Sequence, residues 1–245
     1  MSNSMNALIE QFTDELGKHG ITLSDRQAQQ LDAYYKLLVE WNEKINLTAI
    51  TERTEVYWKH FYDSISLAFY MDMKQVHKMA DIGSGAGFPG IPLKIIYPEL
   101  QLTIVDSLNK RINFLNLLVD NLELTDVHTV HGRAEDVARM PEHRDQYDLV
   151  TARAVARLCV LNEFCLPFVK PGGKFIAMKG SEVENEIDES SYSLNELKAK
   201  HIGTDRMELP VVEGVRHFVH ISKTAPTPKK YPRKAGTPLK QPLVK

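Results

Sequence analysis

A glycine-rich segment reads Asp81-Ile82-Gly83-Ser84-Gly85-Ala86-Gly87-Phe88-Pro89-Gly90. It follows the apolar run Met79–Ile82 and precedes a stretch of helical pattern, so it is predicted to connect a strand to a helix. Glycines in such a turn allow a tight backbone path and the close approach of a ligand. Because glycines also serve plain turns, the segment alone does not establish a binding site.

The glycine spacing indicates which ligands the turn suits. Gly83, Gly85 and Gly87 follow the pattern G-x-G-x-G, whereas dinucleotide-binding folds prefer G-x-G-x-x-G. The carboxylate of Asp81, directly before the turn, would repel a pyrophosphate but would suit a cationic ligand. The turn is therefore predicted to bind a ligand other than a dinucleotide.

A second carboxylate points to a ribose. The next apolar run, Leu102–Val105, ends at Asp106, nineteen residues after Gly87. A carboxylate at this place commonly accepts hydrogen bonds from the two ribose hydroxyls. The structural alternative is an N-cap for the helix that begins near Ser107. Combined with the glycine turn, Asp106 favours an adenosine ligand without a pyrophosphate, and S-adenosylmethionine fits that description.

Short apolar runs alternate with helical patterns from about residue 76 onwards, which predicts an α/β fold with a parallel sheet and crossover helices. Six runs are predicted as strands: Met79–Ile82, Leu102–Val105, Val127–Val130, Tyr147–Val150, Phe175–Met178 and His217–Ile221. Parallel sheets of this kind bind ligands beyond the carboxyl ends of their strands. The functional residues are therefore expected at that edge.

Residues 1–75 have a different texture and are predicted to form an N-terminal helical annex. Ser24 and Gln27 form a capping-box pattern. Apolar residues then recur at helical spacing, namely Leu31, Tyr34, Tyr35, Leu38, Trp41 and Ile45. A second amphipathic stretch is predicted from about Glu55 to Tyr70.

The net charge of −2 conceals a basic C-terminal tail. Residues 223–245 contain seven lysines and arginines, no acid, and five of the twelve prolines. Such a segment is predicted to be extended and solvated. It would serve as an arm for nucleic-acid phosphates or as a disordered end that keeps the protein soluble, and both readings remain open. The acidic run Glu182–Glu189 is predicted as a solvated loop or the start of a helix.

The remaining composition bounds the class of protein. With 245 residues, 43% hydrophobic and 25% charged, the chain suits one large soluble domain or a domain with a small annex. No apolar segment is long enough to span a membrane, and the N-terminus lacks a secretory pattern. A cytoplasmic protein is expected. Cys159 and Cys165 lie in an apolar helical stretch and are predicted to be buried structural cysteines, and no metal site is predicted.

Several motifs together resemble the bacterial RsmG family, also called glucose-inhibited division protein B. They are the glycine turn, Trp41-Asn42-Glu43-Lys44-Ile45-Asn46-Leu47-Thr48, His60-Phe61-Tyr62-Asp63-Ser64, Val105-Asp106-Ser107-Leu108-Asn109-Lys110-Arg111, Arg133-Ala134-Glu135, Arg153-Ala154-Val155-Ala156 and Lys229-Lys230-Tyr231-Pro232-Arg233. The resemblance implies a Rossmann-like class I methyltransferase with a mostly parallel seven-stranded sheet, helices on both faces and the annex. The domains would be 1–75, 76–222 and the tail 223–245.

The resemblance also implies an activity and a set of contacts. The family methylates N7 of a guanine in small-subunit (16S) ribosomal RNA with S-adenosylmethionine, so the partner would be that RNA or the ribosomal subunit, and a monomer is expected. The implied cofactor-binding residues are Gly83, Phe88, Ala134, Glu135 and Arg153, to which the glycine turn and the second carboxylate add Gly85 and Asp106. Glu135 would position the adenine, and Phe88 would pack on the methionine portion.

The chemistry of such a reaction asks little of the side chains. Guanine N7 carries a lone pair and no proton, so methyl transfer to it needs alignment but no general base. No catalytic dyad is therefore expected, although Arg153 could orient the cofactor or the substrate. Lys179 and Lys110-Arg111 are candidates for phosphate contacts, with a solvated face as the alternative. A small-molecule methyltransferase using the same cofactor is the alternative function.

Overall fold

The computed structural model describes residues 3–180 and 183–245. Its strands are β1 (Lys78–Ile82), β2 (Gln101–Asp106), β3 (Val127–His131), β4 (Tyr147–Arg153), β5 (Val169–Lys179), β6 (Ala199–Glu208) and β7 (Val215–Lys223). The α-helices are α1 (Asn3–Gly17), α2 (Asp25–Ile45), α3 (Arg53–Val56), α4 (Asp63–Ile65), α5 (Gly90–Ile96), α6 (Asn109–Asn121), α7 (Ala134–Val137), α8 (Leu158–Cys165), α9 (Glu184–Glu189), α10 (Ser191–Glu196) and α11 (Thr237–Lys240).

The seven strands form one sheet in the order β3-β2-β1-β4-β5-β7-β6. Strands β1 to β5 pair in parallel, and β7 pairs antiparallel with both β5 and β6. The chain leaves β1 for β2 and later returns to β4, on the other side of β1. Because ligands bind where the strand order reverses, this topology places the candidate site beyond β1, β2 and β4.

Side chains of alternate residues along each strand enter two separate cores, as the period of two in a strand requires. Met79 and Leu149 belong to the core on one face, whereas Ala80 and Val150 belong to the core on the other. The first core also contains buried apolar residues of α1, α2, α5 and α6. The annex therefore continues the core of the sheet, and its separation at residue 75 stays a prediction.

The helical annex follows the predicted pattern. Ser24 caps α2 with a complete capping box, and Leu31, Tyr34 and Leu38 are its buried residues. The second amphipathic stretch is helical but irregular, since a π-helical segment, Tyr57–Tyr62, separates α3 from α4. A π-helix widens the turn, and such segments are frequent at functional sites. Glu184–Glu189 of the acidic run forms α9, whereas Glu182 lies outside the described residues.

The structure contradicts the prediction of an extended and solvated tail. Tyr231 and Leu243 are buried in the second core, and Thr237–Lys240 forms α11. Lys223 is internal, with its ammonium donating to the carbonyl of Leu166 and to the carboxylate of Asp145. Composition predicted an exposed tail because the residues that hold the tail in place lie far from it in the sequence.

Candidate functional site

The glycine turn connects β1 to α5 and lies at the carboxyl edge of the sheet. Gly83 has φ +71°, and its N–H donates to the Val105 carbonyl of the neighbouring strand at 2.8 Å. Gly87 has φ +104°, and a Cβ there would lie 2.7 Å from the Tyr34 hydroxyl. That hydroxyl donates to the Ala86 carbonyl at 2.6 Å. The annex helix α2 therefore supports the turn from behind and leaves no room for a side chain at Gly87.

Asp106 ends β2 and ties two backbone segments together. Its Oδ2 accepts a hydrogen bond from the Gly85 N–H at 3.0 Å, and its Oδ1 accepts one from the Leu108 N–H at 2.9 Å. Arg111 of α6 lies 3.5 Å from Oδ2. Asp106 thus anchors the glycine turn and the backbone that follows β2. The predicted alternative, an N-cap for a helix beginning near Ser107, is wrong, because α6 begins at Asn109 and its N-cap residue is Leu108. The role of Asp106 towards a ribose stays a prediction.

A first cavity of about 180 Å³ opens between the ends of β1, β2 and β3. Gly83, Ala134 and Glu135 line it, as do the residues on either side of Asp106, Val105 and Ser107. The predicted contacts at these positions are therefore brought to one place. Glu135 is buried, however, and its Oε1 accepts a hydrogen bond from the Gly236 N–H of the tail at 2.8 Å. Its carboxylate holds the tail, and an adenine contact stays a prediction.

Phe88 lies in an aromatic stack next to the turn. Its ring packs against Tyr34, with 5.3 Å between centroids, and against His60, with 4.6 Å. The guanidinium of Arg153 lies 5.0 Å from the Phe88 ring centroid, which is a cation–π contact. Phe88 is 5% exposed and contributes to a second cavity of about 210 Å³ along the glycine turn. Its packing on the methionine portion stays a prediction.

Arg153, at the end of β4, belongs to a buried ionic group. Its Nη1 lies 2.9 Å from Oδ2 of Asp63, and Nε of Arg216 on β7 lies 3.0 Å from Oδ1 of the same carboxylate. The Asp63 side chain is 2% exposed. A carboxylate that bridges two guanidiniums in low-dielectric surroundings fixes both of them in place. Asp63 therefore orients Arg153 towards the aromatic stack.

His60 carries no positive charge at neutral pH. Burial, with the nearby Arg153 guanidinium, lowers the pKa of this imidazole from 6.5 to about 3. Its Nε2 lies 2.8 Å from the hydroxyl of Thr48, and the ring stacks on Phe88. The neutral ring adds an apolar face beside the glycine turn.

Asp81 lies beneath the turn and does not face a ligand. The side chain is fully buried, and its Oδ2 accepts a hydrogen bond from the Gly90 N–H at 2.7 Å. Among the described residues, its Oδ1 has no hydrogen-bond partner. Burial raises the pKa of this carboxyl from 3.8 to about 7. The expectation that Asp81 meets a cationic ligand is therefore wrong, because no ligand atom could reach it from the cavities.

Replacing Asp81 with asparagine is expected to stabilise the fold relative to the parent protein by an amount that grows as the pH rises. Because the pKa of Asp81 is raised in the folded state, the folded parent protein binds more protons than the unfolded chain between pH 3.8 and about 7. The free energy of unfolding of the parent therefore falls as the pH rises through this window. Asn removes the buried charge and keeps an acceptor for Gly90. Urea denaturation should show the stability difference growing by up to about 1.4 kcal/mol per pH unit between the two pKa values. A difference independent of pH would contradict the argument.

A third cavity, of about 350 Å³, lies beside the ionic group and is lined by Lys59, His60, Asp63, Arg153, Lys179 and Arg216. It shares His60, Arg153 and Ala154 with the second cavity, and the second shares Gly83 with the first. The three cavities therefore form one row along the carboxyl edge of the sheet. Lys179, a predicted phosphate contact, pairs here with Glu186 at 2.8 Å.

Sequence reasoning missed several members of the third cavity. The sequence around Asp63 does not indicate its role, and Arg216 carries no sequence signal because its partner lies 153 residues away. Lys59 is brought to the cavity by the π-helical segment, which shifts the helical register. The motif His60-Phe61-Tyr62-Asp63-Ser64 was the signal that could have identified this element.

The cysteines offer no nucleophile. Cys159 and Cys165 are both buried, which confirms the prediction for them. Burial raises the pKa of both thiols, so the reactive thiolate is disfavoured. Within the described residues, no three His, Cys, Asp or Glu side chains are grouped as metal ligands, and no helix is long and apolar enough to cross a membrane.

Comparisons with known proteins match this architecture. The family model described as rRNA small subunit methyltransferase G (GidB) matches residues 27–213. A protein from Staphylococcus carnosus (strain TM300), named ribosomal RNA small subunit methyltransferase G, is 55% identical over 97% of this chain and 99% of its own length. The chain belongs to the rRNA small subunit methyltransferase G family. A further family member of the same name, from Staphylococcus saprophyticus, is 56% identical over 95% of this chain and 97% of its own length.

The family assignment confirms the predicted resemblance to the RsmG family. The fold of this family member is also similar to an O-methyltransferase from Bacillus cereus solved in complex with SAH, with a TM-score of 0.54 and 15% identity over 77% of this chain and 90% of that chain. At this identity the similarity concerns the fold alone. It confirms the Rossmann-like class I methyltransferase fold with a mostly parallel seven-stranded sheet.

Proposed function

We propose that this protein is an S-adenosylmethionine-dependent methyltransferase that methylates N7 of a guanine in small-subunit (16S) ribosomal RNA. The observation that carries the proposal is the 55% identity, over nearly the whole chain, to a ribosomal RNA small subunit methyltransferase G. The acceptor atom N7 rests on the resemblance to the RsmG family. The row of three cavities provides a place for both reactants.

The residues that line the first and second cavities suit S-adenosylmethionine, together with Asp106, which stands between Val105 and Ser107 of the first. Gly85 would present an open turn, since a Cβ at this position would meet no atom within 4 Å. Asp106 would accept from the ribose, Ala134 and Glu135 would border the adenine, and Phe88 with Arg153 would border the methionine portion. The cofactor supplies the methyl group from a sulfonium that is already activated. The chain itself binds and orients.

The third cavity suits the acceptor base. It adjoins the second cavity through His60 and Arg153, and cationic side chains of Lys59, Lys179 and Arg216 surround it. Planar guanidiniums and ammonium groups bind RNA phosphates and base edges. His60 is neutral, and N7 has no proton to remove, so the site needs no base. Positioning of N7 by the walls of this cavity is the contribution we assign to the protein.

The tail contributes exposed positive charge to the RNA-binding surface in a way that differs from the predicted arm. Lys229, Lys234 and Lys240 are exposed and, within the described residues, form no ion pairs. From the ordered tail, their ammonium groups would contact phosphates of the bound RNA. The partner is the small-subunit RNA, alone or in an assembled subunit. The protein would act as a monomer in the cytoplasm, where this substrate is found.

Methyl transfer to ribosomal subunits tests the proposal. Small ribosomal subunits from cells that lack this protein would be incubated with methyl-labelled S-adenosylmethionine, and protein-free 16S RNA would be treated in parallel. We expect one methyl group per subunit or RNA, mapped to N7 of a single guanine. Subunits from cells that contain the protein are the control and should accept no label.

Two outcomes would contradict the proposal. A chain that folds but does not bind S-adenosylmethionine would exclude the cofactor. A chain that binds it and labels neither subunits nor free RNA would exclude the RNA substrate and would favour the small-molecule methyltransferase. Label at a position other than N7 would keep the reaction class and correct the acceptor.

A further inference from the structure

The tail is fixed along the second face of the sheet by side chains far from it in sequence. The guanidinium of Arg144 donates to the carbonyls of Thr227, Pro228 and Tyr231, at 2.9 to 3.1 Å. Arg139 donates to the carbonyl of Pro232. These carbonyl groups thereby gain charged donors, whose hydrogen bonds are stronger than those of neutral donors. The path of the tail is therefore specified by the domain.

A buried ion pair fixes the last part of the tail. Both carboxylate oxygens of Glu163 on α8 accept hydrogen bonds from Arg233, and Oε1 also accepts the Arg233 N–H at 2.7 Å. The Glu163 side chain is 1% exposed. Nη2 of Arg233 also donates to the Gln241 carbonyl at 2.7 Å, which closes residues 233–241 into a loop. We call residues 233–241 the C-terminal loop.

The C-terminal loop reaches the first cavity at two points. Its Gly236 N–H donates to the buried carboxylate of Glu135, a residue that lines the cavity. Its Leu239 lines the same cavity and is 53% exposed, and Val155, on the β4–α8 connection, lines it as well and is 38% exposed. Covering large, exposed apolar side chains at the border of a cavity with an apolar surface lowers the free energy.

We propose that the C-terminal loop is a wall of the adenosine-binding cavity, with Leu239 packing on the adenine ring. The inference rests on the proposed function, since it takes the cofactor to occupy the first cavity. An aliphatic side chain packs well against the flat, weakly polar face of a purine. The loop also holds Glu135, through the hydrogen bond from the Gly236 N–H to its carboxylate. The loop and the cofactor therefore stabilise each other, because any contact present only in the bound state is reciprocal.

A conservative truncation tests the wall. Leu239→Ala removes the apolar side chain from the loop and, since Leu239 is half exposed, leaves the fold intact. Titration calorimetry with S-adenosylhomocysteine should show the Kd rising about three- to tenfold, in line with the burial of part of a leucine. Val244→Ala is the matched control, since Val244 is an exposed apolar residue of the same tail outside the cavity. It should leave the Kd unchanged.

Reciprocity gives a second readout that needs no catalysis. Trypsin cleavage after Lys234 and Lys240 requires the loop to open, and S-adenosylhomocysteine should slow these cleavages in proportion to its saturation. Cleavage after Lys200 in β6, which requires opening of the sheet edge, is the internal reference. We expect the ratio of loop to reference cleavage to fall in the presence of ligand. The same ratio should respond less in Leu239→Ala.

The outcomes separate this inference from the proposed function. If the parent protein fails to bind S-adenosylhomocysteine, the proposed cofactor is wrong and the inference falls with it. If the parent binds, and Leu239→Ala binds as tightly with loop cleavage unaffected by ligand, the inference alone is overturned. A weaker Kd for Leu239→Ala together with ligand-dependent protection of the loop would establish the tail as part of the binding site.

Discussion

Replacing Asp106 with alanine is expected to raise the Kd for S-adenosylmethionine about a hundredfold, since one charge-assisted hydrogen bond contributes about 1.5–3 kcal/mol. Each carboxylate oxygen can accept two hydrogen bonds, and Oδ1 of Asp106 accepts one from a backbone group, Leu108. Oδ1 therefore retains an acceptor position for a ribose hydroxyl. Alanine also removes the anchor for Gly85 N–H, so the glycine turn loses part of its support.

Two control variants separate these contributions. Asp106→Asn keeps one oxygen and the shape of the side chain but loses the charge, so its Kd should lie between those of the parent and of the alanine variant. Asp136→Ala removes an exposed carboxylate from the nearby helix α7 and should bind the cofactor normally. Calorimetric titration of the folded proteins measures all three. An unchanged Kd in a folded Asp106→Ala protein would remove the ribose role.

The sheet could be predicted because its signal is local. Each of the six predicted runs lies within a strand of the structure, since apolar residues that enter the two cores come close together in the sequence. Strand β6 was not among the runs derived from apolar residues. It lies at the edge of the sheet with most of its residues partly or fully exposed, so its sequence carries charged residues and a glycine where a core strand carries apolar ones.

The candidate site could be predicted only in part. Asp106 is the last residue of a strand, and Gly83 and Ala134 come shortly after strand ends, so their convergence is a consequence of parallel topology. The prediction of a solvated tail was wrong because Arg233 pairs with Glu163, 70 residues away, and composition does not indicate such a contact. The same holds for Arg216 and Asp63. Long-range ionic contacts, unlike periodicity, leave no mark in a single sequence.

The ionic group also sets the expected result for Asp63→Ala, which should lower both stability and activity. Removing one member of a buried ion pair leaves its partners uncompensated, at a cost of about 3–5 kcal/mol. Because Arg153 and Arg216 are 15% and 23% exposed, water offsets part of this cost and the lower end is expected. Arg153 would also lose its orientation over Phe88, so kcat for methyl transfer should fall about tenfold to a hundredfold.

Asp32 provides the matched comparison for Asp63. It also bridges two cations, Lys36 and Arg53, but its side chain is 22% exposed and lies outside the three cavities. Asp32→Ala should therefore cost about 1 kcal/mol or less in urea denaturation and leave kcat unchanged. Asp63→Asn, which keeps one acceptor oxygen, should recover part of the stability and part of kcat. If Asp63→Ala proves as stable and as active as Asp32→Ala, Asp63 does not position Arg153, since a positioning residue must change kcat as well as the free energy of unfolding.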